Sequence, residues 1–272
     1  MDAEVCVTGI KTIDLLCPIH RNDYKEVWGE KSQLSSLILE LAYRHKTYLQ
    51  GQSIWVGCDS TCIKKRCVFG EIDDVLSLVI INGNDEIQDL ERVRKAVERA
   101  KKDSVEGSCI WVFFDSGAHL CFEMSQFLSN ESDSNCFAVF ICVDIAQATF
   151  NRQSNVSRSV ISLSRNDIDD QKLLAIDPLE STDTRTSFEL ADRNNMARQI
   201  KDLVGRYEGV SEIAATLGEC ELSEEDRIVM EKATKLIQFM SQSFFINKPF
   251  SGAEGEYVGF EETLSGVKRI LD

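Results

Sequence analysis

The sequence is poor in proline, in positive charge and in long apolar runs. Three prolines in 272 residues exclude a proline-rich linker. Lys and Arg number 30 against 45 Asp and Glu, a formal net charge of −15. That balance excludes a surface that coats nucleic acid, because phosphate binding needs a basic excess. No run of about 18 apolar residues occurs, so no membrane-spanning helix and no direct membrane insertion are expected. The N-terminus carries Asp2 and Glu4 and lacks the basic segment and apolar core of a signal peptide, so none is expected. Ten cysteines fall below the density of a disulfide scaffold. Most lie in apolar runs, such as Cys109-Ile110-Trp111 and Cys136-Phe137. They read as small buried hydrophobes in a reducing compartment.

What is present is globular. Hydrophobic residues make up 43% and charged residues 28%, close to folded averages. The length fits one large domain or two smaller ones. Leu34, Leu37, Ile38, Leu41 and Ala42 share one helical face, and Ser32 is the expected N-cap. Short apolar runs follow at residues 53–56, 76–81, 109–114 and 136–143, with a further run expected at 173–176. A charged helix is expected over residues 85–102. Continuous apolar runs alternating with helices predict a mainly parallel sheet covered on both faces, an α/β fold. Two runs end in carboxylates, Asp115 and Asp144. In such sheets ligands sit outside the carboxyl ends of the strands, although Asp also ends strands and caps the next helix. After about residue 180 the texture turns helical. Met196, Ile200, Leu203 and Val204 form one period; Ile228, Val229, Ala233, Leu236, Ile237 and Met240 form another. Ser223 with Asp226 resembles a capping box at the start of the second. The expected division is residues 1–180 and a smaller helical domain over 181–272.

Four ordered stretches resemble the beta subunit of the rotary, proton-translocating ATP synthase. They are residues 7–18 (VTGIKTIDLLCP), 175–185 (AIDPLESTDTR), 217–244 (LGECELSEEDRIVMEKATKLIQFMSQSF) and 249–272 (PFSGAEGEYVGFEETLSGVKRILD). The resemblance implies a P-loop NTPase-like domain with a helical C-terminal domain. The family's N-terminal beta-barrel has no counterpart in this sequence, and the stretch between Asp115 and Cys136 is short for the family.

The resemblance also locates the chemistry. A P-loop needs glycines to turn backbone N–H groups towards phosphates, a Lys for the phosphates, and a Ser or Thr hydroxyl for magnesium. The corresponding residues here are 28–35, WGEKSQLS. Gly29 keeps a glycine and Ser35 keeps the hydroxyl. Leu34 stands at the Lys position, Lys31 lies three residues early, and Glu30 adds negative charge. The family's catalytic carboxylate is replaced by Ser60, next to Asp59, and a serine cannot polarise water as a carboxylate does. Asp115 matches the magnesium-associated Asp. Phe244 and Phe250 match adenine-stacking phenylalanines, with ordinary packing as the alternative. Gly29, Lys31, Ser35, Asp115, Phe244 and Phe250 are therefore the candidate nucleotide contacts, with no catalytic residue among them. No cofactor is required on this reading; ATP or ADP with magnesium would bind only through these remnants.

The acidic segment Glu219, Glu221, Leu222, Glu224, Glu225 and Asp226 resembles the family's lever against the central stalk. It is the candidate contact for ATP synthase alpha, beta or central-stalk subunits. The expectation is a noncatalytic beta-like interaction component. The alternatives are a working ATP-hydrolysing or ATP-synthesising subunit, and a separate protein with a redox role for Cys58, Cys62 and Cys67. No metal site is expected, since no His completes that cysteine set. The family implies the mitochondrial matrix, chloroplast stroma or bacterial cytoplasm, at an energy-coupling membrane.

Overall fold

The computed structural model describes residues 5–67, 72–105, 107–115, 136–145, 159–164, 176–183 and 191–272; the side chains of Glu219, Phe250 and Ser251 lie outside that description. Its centre is a six-stranded, wholly parallel sheet ordered β5-β4-β6-β7-β3-β8. The strands are β3 Asp23–Gly29, β4 Gln52–Gly57, β5 Ser77–Ile80, β6 Cys109–Asp115, β7 Cys136–Asp144 and β8 Ser159–Ser162. Two short strands, β1 Val5–Cys6 and β2 Ile19–His20, pair antiparallel beside it. The mainly parallel α/β sheet with flanking helices expected from the apolar runs is present.

Alternation within each strand explains those runs. Ile110, Val112 and Phe114 of β6 pack with Ile54, Val56, Val139 and Ile141 beneath helix α4, Glu86–Asp103, whose Val93, Val97 and Ala100 face them. The intervening Cys109, Trp111 and Phe113 face the other way, with Ala138, Phe140 and Cys142, towards helix α2, Lys31–Leu49. Successive side chains point to opposite faces, and both faces are covered, so both sets must be apolar. Phe113 and Phe140 stack at 4.6 Å between ring centroids. Burying each such ring contributes about 1.5–3 kcal/mol.

The remaining helices complete the frame. Helix α1 spans Lys11–Leu16 and α3 spans Thr61–Arg66. The helical C-terminal region holds α5 Ala191–Leu217, α6 Glu224–Met240 and α7 Phe260–Leu271. Ile200, Val204, Leu236 and Val267 of these helices join the core on the α2 side of the sheet. Ser223 caps α6 by accepting from the Asp226 N–H at 3.1 Å, as its spacing suggested. One cap differs from expectation: α2 is capped by Glu30, and Ser32 lies inside its first turn. Most of the strand expected at 173–176 lies outside the described residues; Ile176 makes an isolated bridge to Leu163.

A buried charge pair ties the two chain ends together. Arg44 on α2 donates to Glu40 Oε1 at 2.6 Å, to the Gly9 carbonyl at 2.9 Å and to the Glu256 carbonyl at 2.7 Å. Glu40 also accepts from the backbone N–H groups of Phe245 and Ile246, at 3.2 and 3.0 Å. Gly9 has φ +72°, and the Tyr257 ring occupies the space a Cβ would need. Only glycine meets both conditions. Among the described residues no helix is long and apolar enough to cross a membrane.

Candidate functional site

The carboxyl ends of β6, β7 and β3 lie side by side. Asp115 ends β6, Asp144 ends β7 and Gly29 ends β3; Gly29 is the register partner of Asp144, and Asp115 that of Cys142. Asp59 and Ser60 follow the end of neighbouring β4. The fold therefore gathers the candidate residues Gly29, Lys31 and Asp115 at one sheet edge, where α/β folds place ligands.

The junction between β3 and α2 defines that edge. The strand ends at Gly29 and the helix begins at Lys31, so Glu30 alone joins them. Lys31 to Ser35 are helical. Glu30 and Gln33 form a capping box, with the Glu30 N–H donating to Gln33 Oε1 at 3.2 Å. That arrangement answers helix-terminal N–H groups with the chain's own carboxylate. Gln33 Nε2 donates to the Ser164 carbonyl at 3.0 Å, fixing the cap to the segment after β8. The Leu163 side chain packs over Gly29: an added Cβ would lie 2.7 Å from Leu163 Cδ1. Ser35 is buried, and its hydroxyl donates to the Lys31 carbonyl at 2.8 Å. That bond turns the hydroxyl along the helix.

The neighbouring β4 end supplies a carboxylate. Asp59 is exposed and accepts from the Thr61 hydroxyl and, at 2.9 Å, from the Thr61 N–H. Those bonds hold its pKa below the usual carboxylate value, with Lys31 and Lys65 adding a weaker pull. Lys31 thus faces a carboxylate across the edge. Ser60 is buried and precedes α3. The following thiols are open to solvent to different degrees: Cys58 is exposed, while Cys62 and Cys67 are half-buried. Among the described residues, no three His, Cys, Asp or Glu side chains are grouped to hold a metal ion.

Phe244 is 5% exposed and belongs to the main core. The Arg44 guanidinium lies 5.9 Å from its ring centroid. It packs in the core here, the alternative that stood beside its reading as an adenine contact. The Phe250 side chain lies outside the described residues.

The acidic segment forms the turn between α5 and α6, with a short helical turn at Glu219–Glu221. Glu221, Glu224 and Glu225 are exposed, and Asp226 is half-buried. The Ser223 hydroxyl also donates to Asp226 Oδ2 at 2.7 Å, so Asp226 completes the α6 cap. Leu222 is 7% exposed and packs with Val210 and Val229. It holds the turn together, and Glu221, Glu224 and Glu225 around it are exposed. The Glu219 side chain lies outside the described residues.

One buried cluster escaped sequence reasoning. Asp183 meets Arg193 Nη2 at 3.0 Å, His20 Nε2 at 3.5 Å and Lys25 Nζ at 4.0 Å, and Lys25 also lies 3.4 Å from Asp23. All five side chains are at most 4% exposed. The cluster connects β2 and β3 to α5. Its only signal in the sequence is the pair Lys25-Glu26 inside a strand that is otherwise buried.

Comparison with known proteins returns to the same architecture. Residues 185–261 match the family model of the C-terminal domain of V and A type ATP synthase. Across nearly its whole length the chain resembles in fold a structure described as a unique ATP synthase subunit, NeqB, from Nanoarcheaum equitans. That match has a TM-score of 0.65 and 15% identity, and covers 99% of this chain and 76% of the other. The chain therefore has a P-loop-like α/β fold, with a helical region similar to the C-terminal domain of V- and A-type ATP synthases.

Proposed function

We propose that the chain is a noncatalytic, beta-like component associated with a rotary ATP synthase, working by protein contact. The β3–α2 junction carries this reading. With one residue between strand and helix, no glycine-rich loop surrounds a phosphate chain. Leu34 supplies no charge where the family has its Lys, and Glu30 sets a carboxylate at the helix start. Ser60 replaces the general base. Losing a single electrostatic donor of this kind costs about 10²- to 10³-fold in rate, and several are missing together. Magnesium, ATP and ADP are not required for this role.

The contact surface is the turn between α5 and α6. Glu221, Glu224 and Glu225 project from a turn held by Leu222, in the region similar to the C-terminal domain of V- and A-type ATP synthases. Alpha, beta or central-stalk subunits are the partners, at an energy-coupling membrane and without insertion into it. Residues 1–180 supply the P-loop-like scaffold and 181–272 the contact domain. The test is retention of purified alpha, beta or central-stalk subunits by the tagged chain. Retention that is lost on combined Glu221→Lys, Glu224→Lys and Glu225→Lys substitution is expected. Recovery of the chain alone with every subunit would overturn the proposal.

A further inference from the structure

We propose that Cys6, Cys109 and Cys136 form a three-thiol centre that a small hydroperoxide oxidises to a disulfide. The centre lies at the amino-terminal edge of the sheet, the end opposite Gly29, Asp115 and Asp144. Cys109 and Cys136 are the first residues of β6 and β7 and are register partners. Partners on adjacent strands are about 4.7–4.9 Å apart, within the Cα separations that disulfides span. In-register partners project from the same face of the sheet. The Cys109 thiol is within hydrogen-bonding reach of both the Cys136 and the Cys6 thiols. Three thiols thus converge, with Cys109 between the other two.

A cavity gives access to them. It has a volume of about 250 Å³ and is lined by Cys6 and Cys109 together with Arg21, His45, Leu49 and Ser108. Water occupies about 30 Å³ in the liquid, so the space admits hydrogen peroxide. Ser108 brings a buried hydroxyl without a hydrogen-bond partner among the described residues. Arg21 brings a fixed positive charge. His45 is neutral, since burial lowers its pKa to about 3, so its ring has both a donor and an acceptor nitrogen. These groups suit a small molecule that both donates and accepts hydrogen bonds.

Cys6 lines the cavity and is the attacking thiol. Its sulfur, as thiolate, attacks one peroxide oxygen; the S–O bond forms and the O–O bond breaks. The departing hydroxide takes up the thiol proton and leaves as water, giving a sulfenic acid. Cys109 resolves it. Hydrogen bonding to Cys136 and Cys6, and burial, keep the proton on Cys109, and that proton leaves with the sulfenic hydroxide as a second water. The S–S bond forms as the S–O bond breaks. In sum, two thiols and one hydrogen peroxide give one disulfide and two waters. Cys136, on the other side of Cys109, is the exchange partner: its thiolate attacks Cys109 sulfur and releases Cys6. A Cys6–Cys109 bond staples β1 to the sheet, and a Cys109–Cys136 bond joins β6 to β7.

The test is a disulfide map of the full chain after hydrogen peroxide, quenched by alkylation and digested without reduction. Wild-type chain is expected to yield peptides linking Cys109 to Cys6 or Cys136, with loss of alkylatable Cys109. Cys6→Ser is expected to lose both links, because the attacking thiol is gone and no Cys6–Cys109 bond is left for Cys136 to exchange with. A variant with Cys58, Cys62 and Cys67 all changed to Ser is expected to retain both links. Wild-type Cys109 recovered wholly as a free thiol, or oxidation confined to the exposed cysteines, would overturn the proposal. Because the wild-type map decides alone, a variant that fails to fold does not blunt the test.

Discussion

Asp183 pairs with two buried cations, Lys25 and Arg193, and Asp23 adds a second carboxylate beside Lys25. Lys25 Nζ and Arg193 Nη1 have no hydrogen-bond partner among the described residues, so neighbouring acids supply their compensation. Removing one side of a buried ion pair leaves an uncompensated charge and typically costs about 3–5 kcal/mol. Asp183→Ala is expected to lower stability by that order, read from the urea midpoint. His45 sets a different dependence. Its folded pKa of about 3 lies below its ordinary 6.5, because burial disfavours the charged ring. The unfolded chain therefore binds this proton first as pH falls. The His45 contribution is fully present above pH 6.5 and declines between 6.5 and about 3, by about 1.4 kcal/mol per pH unit. Asp14 opposes it. Burial raises its pKa from 3.8 to about 6, against hydrogen bonds from Thr8 and Gly9. Its contribution is present below 3.8 and declines as pH rises towards 6. In wild type the two slopes offset between about pH 4 and 6. Unfolding measured in His45→Gln is expected to expose the Asp14 slope, with stability falling as pH rises through that window. Parallel pH profiles for variant and wild type would contradict this.

The elements explain which parts of the fold were legible. Runs at β4, β6 and β7 were readable because both their faces are buried and so wholly apolar. The strand β3 was not readable as such a run, because Asp23, Lys25 and Glu26 interrupt it and pair inside the protein. The segment of α1 carries no strong periodic signal in its six residues, and Asp14 within it binds the preceding turn. The resemblance brought Gly29, Lys31 and Ser35 into view, but it could not show that helix α2 starts before the expected Ser32 cap. That outcome follows from Gln33 reaching back to Glu30. Likewise, Leu222 lies among acids in the sequence, yet its contacts come from two different helices. The α6 start was readable because both partners of the cap lie within one turn. Ser223→Ala removes the acceptor of the Asp226 N–H and is expected to cost about 1 kcal/mol. Thermal unfolding checks it; an unchanged midpoint would show that the cap contributes nothing.

At the scale of the molecule, two buried charge systems join distant parts of the chain. Glu40 and Arg44 on α2 bind the turn at Thr8 and Gly9 and the segment from Phe245 to Glu256. Asp183 and Arg193 bind the start of α5 to the sheet strand that carries Gly29. The helix that begins the candidate site is thus anchored at its far end by the C-terminal region. Such a frame suits the proposed role of the glutamate turn between α5 and α6 as a contact surface, and a single residue joins β3 to α2. The central claim is therefore about nucleotide. Calorimetric titration of the purified chain with magnesium and ATP tests it directly. The account predicts no saturable binding up to about 1 mM ATP, a limit equivalent to roughly −4 kcal/mol. Saturable binding in the micromolar range, with ATP turnover that falls on Asp115→Ala, would contradict it.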